Sequence, residues 1–211
     1  MRIVLIGGGG HASDVLGAFE AAEDALGLAR PGQIAGLVAD DEIDMRRFKD
    51  RGVAQIGSID DLKSLDVSHF VSCVGYPKGR KAVAERAMAV GLVPAFIIHP
   101  QAWVPPGTPV GAGAVILAGA CISPGVIIGA HAYISHGALI GHDATFSDYA
   151  TLMPGASVSG DTALGEGAMI GSRAVVLERL SVGAWATVGA GAVVTRSVPA
   201  DVTVKGVPAR S

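Results

Sequence analysis

The chain has 211 residues, of which 30 are glycine, 17% charged and 5% aromatic, with a net charge of −3. Glycine is at about twice its usual share of roughly 7%, yet half the residues are apolar and the glycines follow no three-residue rule, which excludes a disordered or collagen-like chain. The acidic balance excludes an electrostatic grip on nucleic acid. Two cysteines, Cys73 and Cys121, make no disulfide framework. The opening apolar run is too short for a secretory signal and no ~20-residue apolar span follows, so a cytoplasmic location without a membrane partner is expected.

Taken in chain order, Arg2–Ile6 reads as a strand, followed by Gly7–Gly10 and a helix over Ser13–Ala25. Gln33–Val38 and Phe70–Val74 read as further strands, and Lys78–Val90 as a helix with Gly91 at its C-terminal cap. Strands alternating with helices predict a small parallel α/β domain over residues 1–99, Rossmann-like and about half of a dinucleotide-binding fold. The run Gly7-Gly8-Gly9-Gly10-His11-Ala12 lies between a strand and a helix and fits G-x-G-x-x-[GA]. Its backbone N–H groups suit a phosphate, and one nucleotide-like group rather than a full dinucleotide fits the half-size domain. A tight strand–helix turn with no ligand would use the same glycines. Asp40 and Asp41 close the second strand, where a ribose or base contact is expected.

From Val104 to Val194, every sixth residue is aliphatic or Phe, sixteen in succession, and eleven of the sixteen residues four places further on are alanine. This predicts a parallel β-helix of hexapeptide repeats over residues 100–211, with three hexads to a coil and a C-terminal tail. The large residue and the alanine both point inward. Gly111, Gly129, Gly141, Gly165, Gly171, Gly183 and Gly189 are expected at the corners, where left-handed backbone angles favour glycine. Val115, Ile127, Tyr133, Leu139, Met169, Val175 and Val193 are expected to face outward, and no Lys or Arg occurs between Val104 and Ser172. Such an apolar exterior predicts an oligomer, with a cyclic homotrimer the natural closure.

His142 falls at a corner, and Asp143 is expected to begin the next strand. A histidine beside a carboxylate suits a general base, though a solvated His–Asp pair has the same spacing. His131, His136 and His142 are an alternative zinc set, as in gamma-class carbonic anhydrases, although residues six apart belong on adjacent prism faces. Neither cysteine has an activating partner in the sequence.

The segments IVLIGGGGHASDV, FVSCVGYPKGRKAV, AFIIHPQAWV, LIGHD and VVTRSVPADVTVKGVPAR, in this order, resemble the sialic acid O-acetyltransferase and bacterial nucleotide-sugar N-acetyltransferase family over nearly the whole chain. The resemblance implies a left-handed β-helix, a homotrimer, acetyl-CoA as co-substrate and no metal. It implies His142 as general base with Asp143 tuning it. It implies Gly9, Gly10, His11, Asp40, Asp41 and Gly75 at the nucleotide sugar, and Thr151, Ser172, Ala190, Lys205 and Arg210 at the coenzyme. Gly160, on the coil next to His142, is expected to meet the acetyl-CoA thioester, its N–H stabilising the oxyanion. Thr151 stands where some members place a histidine. Acetyl transfer to a nucleotide-linked amino sugar is the leading expectation. Sugar O-acetylation, a metal hydratase and a non-catalytic scaffold are the alternatives, with the sugar and nucleotide left open.

Overall fold

The computed structural model describes residues 2–25 and 33–211. The chain divides into two compact units, Met1–Pro100 and Gln101–Ser211.

In the first unit, β1 (Ile3–Ile6) is buried at all four positions, as a central parallel strand covered on both faces must be. It pairs in parallel with β2 (Ile34–Val38) and with β4 (His69–Ser72); β3 (Gln55–Gly57) and β5 (Val93–Pro94) form the edges, giving the order β3-β2-β1-β4-β5. The sequence pattern misses both edges, because two or three residues carry too little periodicity to be seen. Helix α1 (Gly10–Ala25) buries Val15, Leu16 and Phe19. It starts inside the glycine run rather than at Ser13, since the Gly9 carbonyl accepts from the Ala12 and Ser13 N–H groups. Helix α2 (Pro77–Ala89) has Pro at its first position and Val90 as its C-cap. Gly91 follows at φ +91°, donating to the Met88 carbonyl, as a left-handed cap residue does.

The second unit is a parallel β-helix built on an 18-residue repeat. Two-residue strands stack in register at that spacing on three faces. Val115, Tyr133, Thr151, Met169 and Thr187 follow one another on the first; Cys121, Leu139, Ser157, Val175 and Val193 on the second; Ile127, Thr145, Ala163 and Ser181 on the third. Backbone N–H groups find carbonyls one coil on, for example Tyr133 to Ala150 at 2.9 Å, so the short strands leave few orphans. Inside, every large apolar residue from Ile116 to Val194 is buried, and the alanine layer between Ala114 and Ala192 is at most 1% exposed. Two layers of fixed size leave no slack. Leu152→Ala, at a fully buried position, is expected to cost about 2–5 kcal/mol, read as a drop in the denaturant midpoint.

Three expectations are corrected. The left-handed turn position is not that of Gly111, Gly129, Gly141, Gly165, Gly171, Gly183 and Gly189. From Gly107 to Gly191 it is every sixth residue two places further along, and His131, Asp143, Tyr149, Asp161, Arg173, Arg179 and Trp185 occupy it as well as glycines. The predicted glycines mostly serve close approach: a Cβ on Gly165 would lie 2.5 Å from the backbone nitrogen of Ala184 in the next coil, and one on Gly171 2.6 Å from that of Ala190. Asp143 is accordingly a turn residue (φ +60°), not the start of a strand. The outward set also divides. Val115 and Tyr133 are buried, whereas Ile127 and Leu139 are 48% and 51% exposed.

Candidate active site

Because coils repeat every 18 residues, the turn before the strand at Thr145 stacks on the turn before Ala163. This sets His142 over Gly160 and Asp143 beside Asp161. The His142 Nδ1 lies 2.8 Å from Asp143 Oδ2, with both side chains well exposed, at 66% and 61%. A Cβ on Gly160 would fall 2.7 Å from His142 Nε2 and 2.8 Å from Cε1, so the ring rests against a residue that must lack one. The other Asp143 oxygen sits against Gly125, one coil back, inside the space a Cβ would take there. The left-handed turn at Asp143 brings its carboxylate back to the adjacent ring. An Nδ1–H donating to Asp143 leaves Nε2 as the acceptor, which is the tautomer a general base needs.

Around this pair, Asp161 donates its N–H to the His142 carbonyl at 2.9 Å. Its carboxylate is 3.9 Å from Arg179, one coil further on. Among the described residues, His142, Asp143 and Asp161 are the group whose ligand atoms lie within 4.8 Å of one another. His131, His136 and His142 are not brought together: no two are 18 residues apart, so they occupy different columns. His131 is buried at a turn, its ring stacked on Tyr149 at 5.0 Å and nearly parallel. The zinc alternative therefore loses its ligand set. Among the described residues the Gly160 N–H has no acceptor, while its carbonyl takes the Arg179 N–H at 3.1 Å and the buried Thr162 hydroxyl at 3.4 Å.

The remaining coenzyme positions separate. Thr151 is fully buried, its hydroxyl donating to the Tyr149 carbonyl at 3.2 Å, so its side chain offers no surface to a ligand in this conformation. Ser172 and Ala190 stack on each other, on a different edge from His142 and Gly160. Lys205 and Arg210 are joined by two backbone hydrogen bonds of 2.8 and 2.9 Å and both are exposed.

In the first unit the expected nucleotide-sugar residues lie around the glycine run. A Cβ added to Gly9 or Gly10, at the N-terminus of α1, would meet nothing within 4 Å. His11, in its first turn, packs on Gly75, where a Cβ would lie 2.6 Å from Nδ1. Burial lowers the His11 pKa from its ordinary value; Arg80 adds to this and Asp14 opposes it. Asp41 is exposed. Asp40 is engaged: one oxygen accepts the Ile59 N–H at 3.1 Å and the other meets Arg86 at 2.8 Å, which holds its carboxyl below the usual range. Two residues escaped sequence reasoning. Asp161 was legible as the residue 18 places after Asp143. Arg80, buried and bonded to the Val74 and Gly75 carbonyls, lies within the segment FVSCVGYPKGRKAV. Burial pushes the Cys73 thiol up, which keeps it inert.

No protein-family model and no curated protein matches the chain. Among solved structures it is similar to PerB from Caulobacter crescentus in complex with CoA and GDP-perosamine, at 32% identity over 100% of this chain and 96% of that one, TM-score 0.88. A perosamine N-acetyltransferase variant from the same organism, with a histidine replaced by asparagine and the same ligands, is 30% identical with the same coverage and TM-score. The acetyltransferase domain of PglB from Neisseria gonorrhoeae, in complex with acetyl coenzyme A, is 30% identical over 99% of this chain and 98% of that one, TM-score 0.84. The fold thus coincides over the full chain at 30–32% identity, and the protein belongs to the hexapeptide-repeat nucleotide-sugar acetyltransferases.

Proposed function

We propose that the protein transfers acetyl from acetyl-CoA to an amino group of a nucleotide-linked amino sugar, with His142 as general base. The observation that carries the catalytic assignment is the His142–Asp143 pair poised over Gly160. Nε2 takes a proton as the amine attacks the thioester carbonyl. The resulting oxyanion is held by the Gly160 N–H. Collapse breaks the C–S bond, and the thiolate recovers the proton from the imidazolium as coenzyme A leaves. Lys205 and Arg210, exposed and side by side on the C-terminal tail, suit coenzyme phosphates, and Ser172 and Ala190 line another edge of the β-helix for it.

The first unit supplies the nucleotide site. Its strand order is that of a Rossmann-type sheet, with the glycine loop leaving the carboxyl end of the central strand. Gly9, Gly10 and the start of α1 receive the diphosphate, with His11 and Gly75 beside them, and Asp40 and Asp41 flank the ribose or base. The β-helix winds left-handed, as the family resemblance implies. A homotrimer accounts for Ile127 and Leu139, apolar and about half exposed on a surface without Lys or Arg from Val104 to Ser172. Cys73 and Cys121 are free thiols, which fits the reducing cytoplasm; among the described residues no helix is long and apolar enough to cross a membrane.

The test is thiol release from acetyl-CoA with UDP-, GDP-, dTDP- and CMP-linked amino sugars and their hydroxyl counterparts. Turnover of an amino sugar supports the reading. Turnover of hydroxyl sugars alone replaces it with O-acetylation, and binding of neither acetyl-CoA nor any nucleotide sugar leaves a scaffold. Asp143→Asn is expected to lower kcat less than His142→Ala does, and the double variant to be no slower than His142→Ala alone, because Asp143 acts through the ring. Steady-state rates of the three variants check this.

A further inference from the structure

Arg80 is among the most deeply buried side chains of the described residues, at 1% exposure. Packing alone does not call for it. Methionine would fill comparable space without the cost of desolvating a guanidinium, which is several kcal/mol by general estimates. What the guanidinium does is specific: its NH1 donates to the Val74 carbonyl at 3.1 Å and to the Gly75 carbonyl at 3.0 Å. These two residues form the turn between β4 and α2. Arg80 itself is anchored in the first turns of α2, its N–H donating to the Tyr76 carbonyl at 2.8 Å. Gly75 is the residue against which His11 lies, so close that any Cβ would overlap the ring. Arg80, the Gly75 turn, His11 and the open glycines at the start of α1 thus form one continuous stack, with a buried cation at its base.

We propose that Arg80 is a positioning residue for the diphosphate of the nucleotide sugar: by fixing the Val74 and Gly75 carbonyls it sets the surface that orients the His11 imidazole toward the glycine loop. This rests on the nucleotide-sugar reading. The ligand chemistry it specifies is a diphosphate, and the coenzyme plays no part in it.

The experiment measures binding of UDP, GDP and dTDP by calorimetry, together with KM for the nucleotide sugar and for acetyl-CoA, in wild type, Arg80→Met, Arg80→Lys and Gly75→Ala. For the nucleoside diphosphate that wild type binds, Arg80→Met is expected to weaken binding about tenfold or more and to raise the nucleotide-sugar KM in step, leaving the acetyl-CoA KM unchanged. Arg80→Lys, which keeps the charge but loses the planar fork of guanidinium donors, recovers part of the loss. Gly75→Ala reproduces the loss with Arg80 in place, by displacing His11 from the opposite side, and it carries the test if Arg80→Met does not fold. Wild-type diphosphate affinity in folded Arg80→Met or in Gly75→Ala overturns the proposal, as does a proportional loss toward both substrates. A wild type that binds none of the three diphosphates overturns the nucleotide-sugar reading itself.

Discussion

Replacing His142 with alanine is expected to lower turnover by about 10²–10⁴-fold, the usual worth of a positioned general base. The side chain is 66% exposed and packs on no apolar core, so its loss removes a proton acceptor and leaves the coils intact. Thermal midpoint and sedimentation should match the parent while kcat collapses. Rate above background persists, because the Gly160 N–H and the binding of both substrates survive the change. Near-normal kcat in a well-folded variant would remove His142 from the mechanism.

Gly160→Ala is the second large effect expected, about 10²-fold in kcat with little change in stability. The backbone at Gly160 does not adopt a left-handed angle, so alanine brings no conformational strain of its own. Its Cβ instead enters the space of the His142 ring, 2.7 Å from Nε2, and an exposed ring yields where backbone would not. A base displaced by about an ångström forfeits near-attack geometry, a loss of the order of 10²-fold. Gly141→Ala is the contrasting control. Its Cβ would run into the backbone nitrogen of Gly160, so stability falls along with activity. Equal activity of Gly160→Ala and wild type would show that the ring does not work from this position.

The β-helix was legible because its inner layers alternate a large apolar residue at every period with a small one that is alanine at most of them, and Ile116 to Val194 with Ala114 to Ala192 write that constraint into the sequence at a fixed period. The N-terminal unit was legible at β1 and β2, where buried runs are long enough to stand out, and blank at Gln55–Gly57 and Val93–Pro94, where pairing with neighbours rather than local pattern makes the strand. Gly9, Gly10, His11 and Gly75 could be named from motif and resemblance, and the structure gathers them. The three-hexad coil read from the sequence already puts Gly160 on the coil next to His142, and the same step of 18 from Asp143 leads to Asp161, a step the sequence reading does not take. What the linear reading did not supply was side-chain packing: that the His142 ring rests on Gly160 and that Thr151 turns into the protein. Val115 and Tyr133 misled because the hexad position gives a side chain's direction on the prism and not its exposure.

The separation of the two glycine registers has a consequence for mutational tolerance. At the close-approach register, Gly165 and Gly171 face backbone, and a single added carbon obstructs the stacking of whole coils. At the left-handed register the backbone requirement is conformational, costing a non-glycine residue roughly 1 kcal/mol, and His131, Asp143, Tyr149, Asp161, Arg173, Arg179 and Trp185 already meet it. At Gly113, Gly125 and Gly167 an added Cβ meets a side chain of the next coil rather than its backbone. The coil can therefore exchange chemistry at one residue in six while its neighbours stay frozen. A saturation scan of the β-helix should show tolerance rising and falling with a six-residue beat, and new specificities are most readily selected at the side chains that ride on those turns.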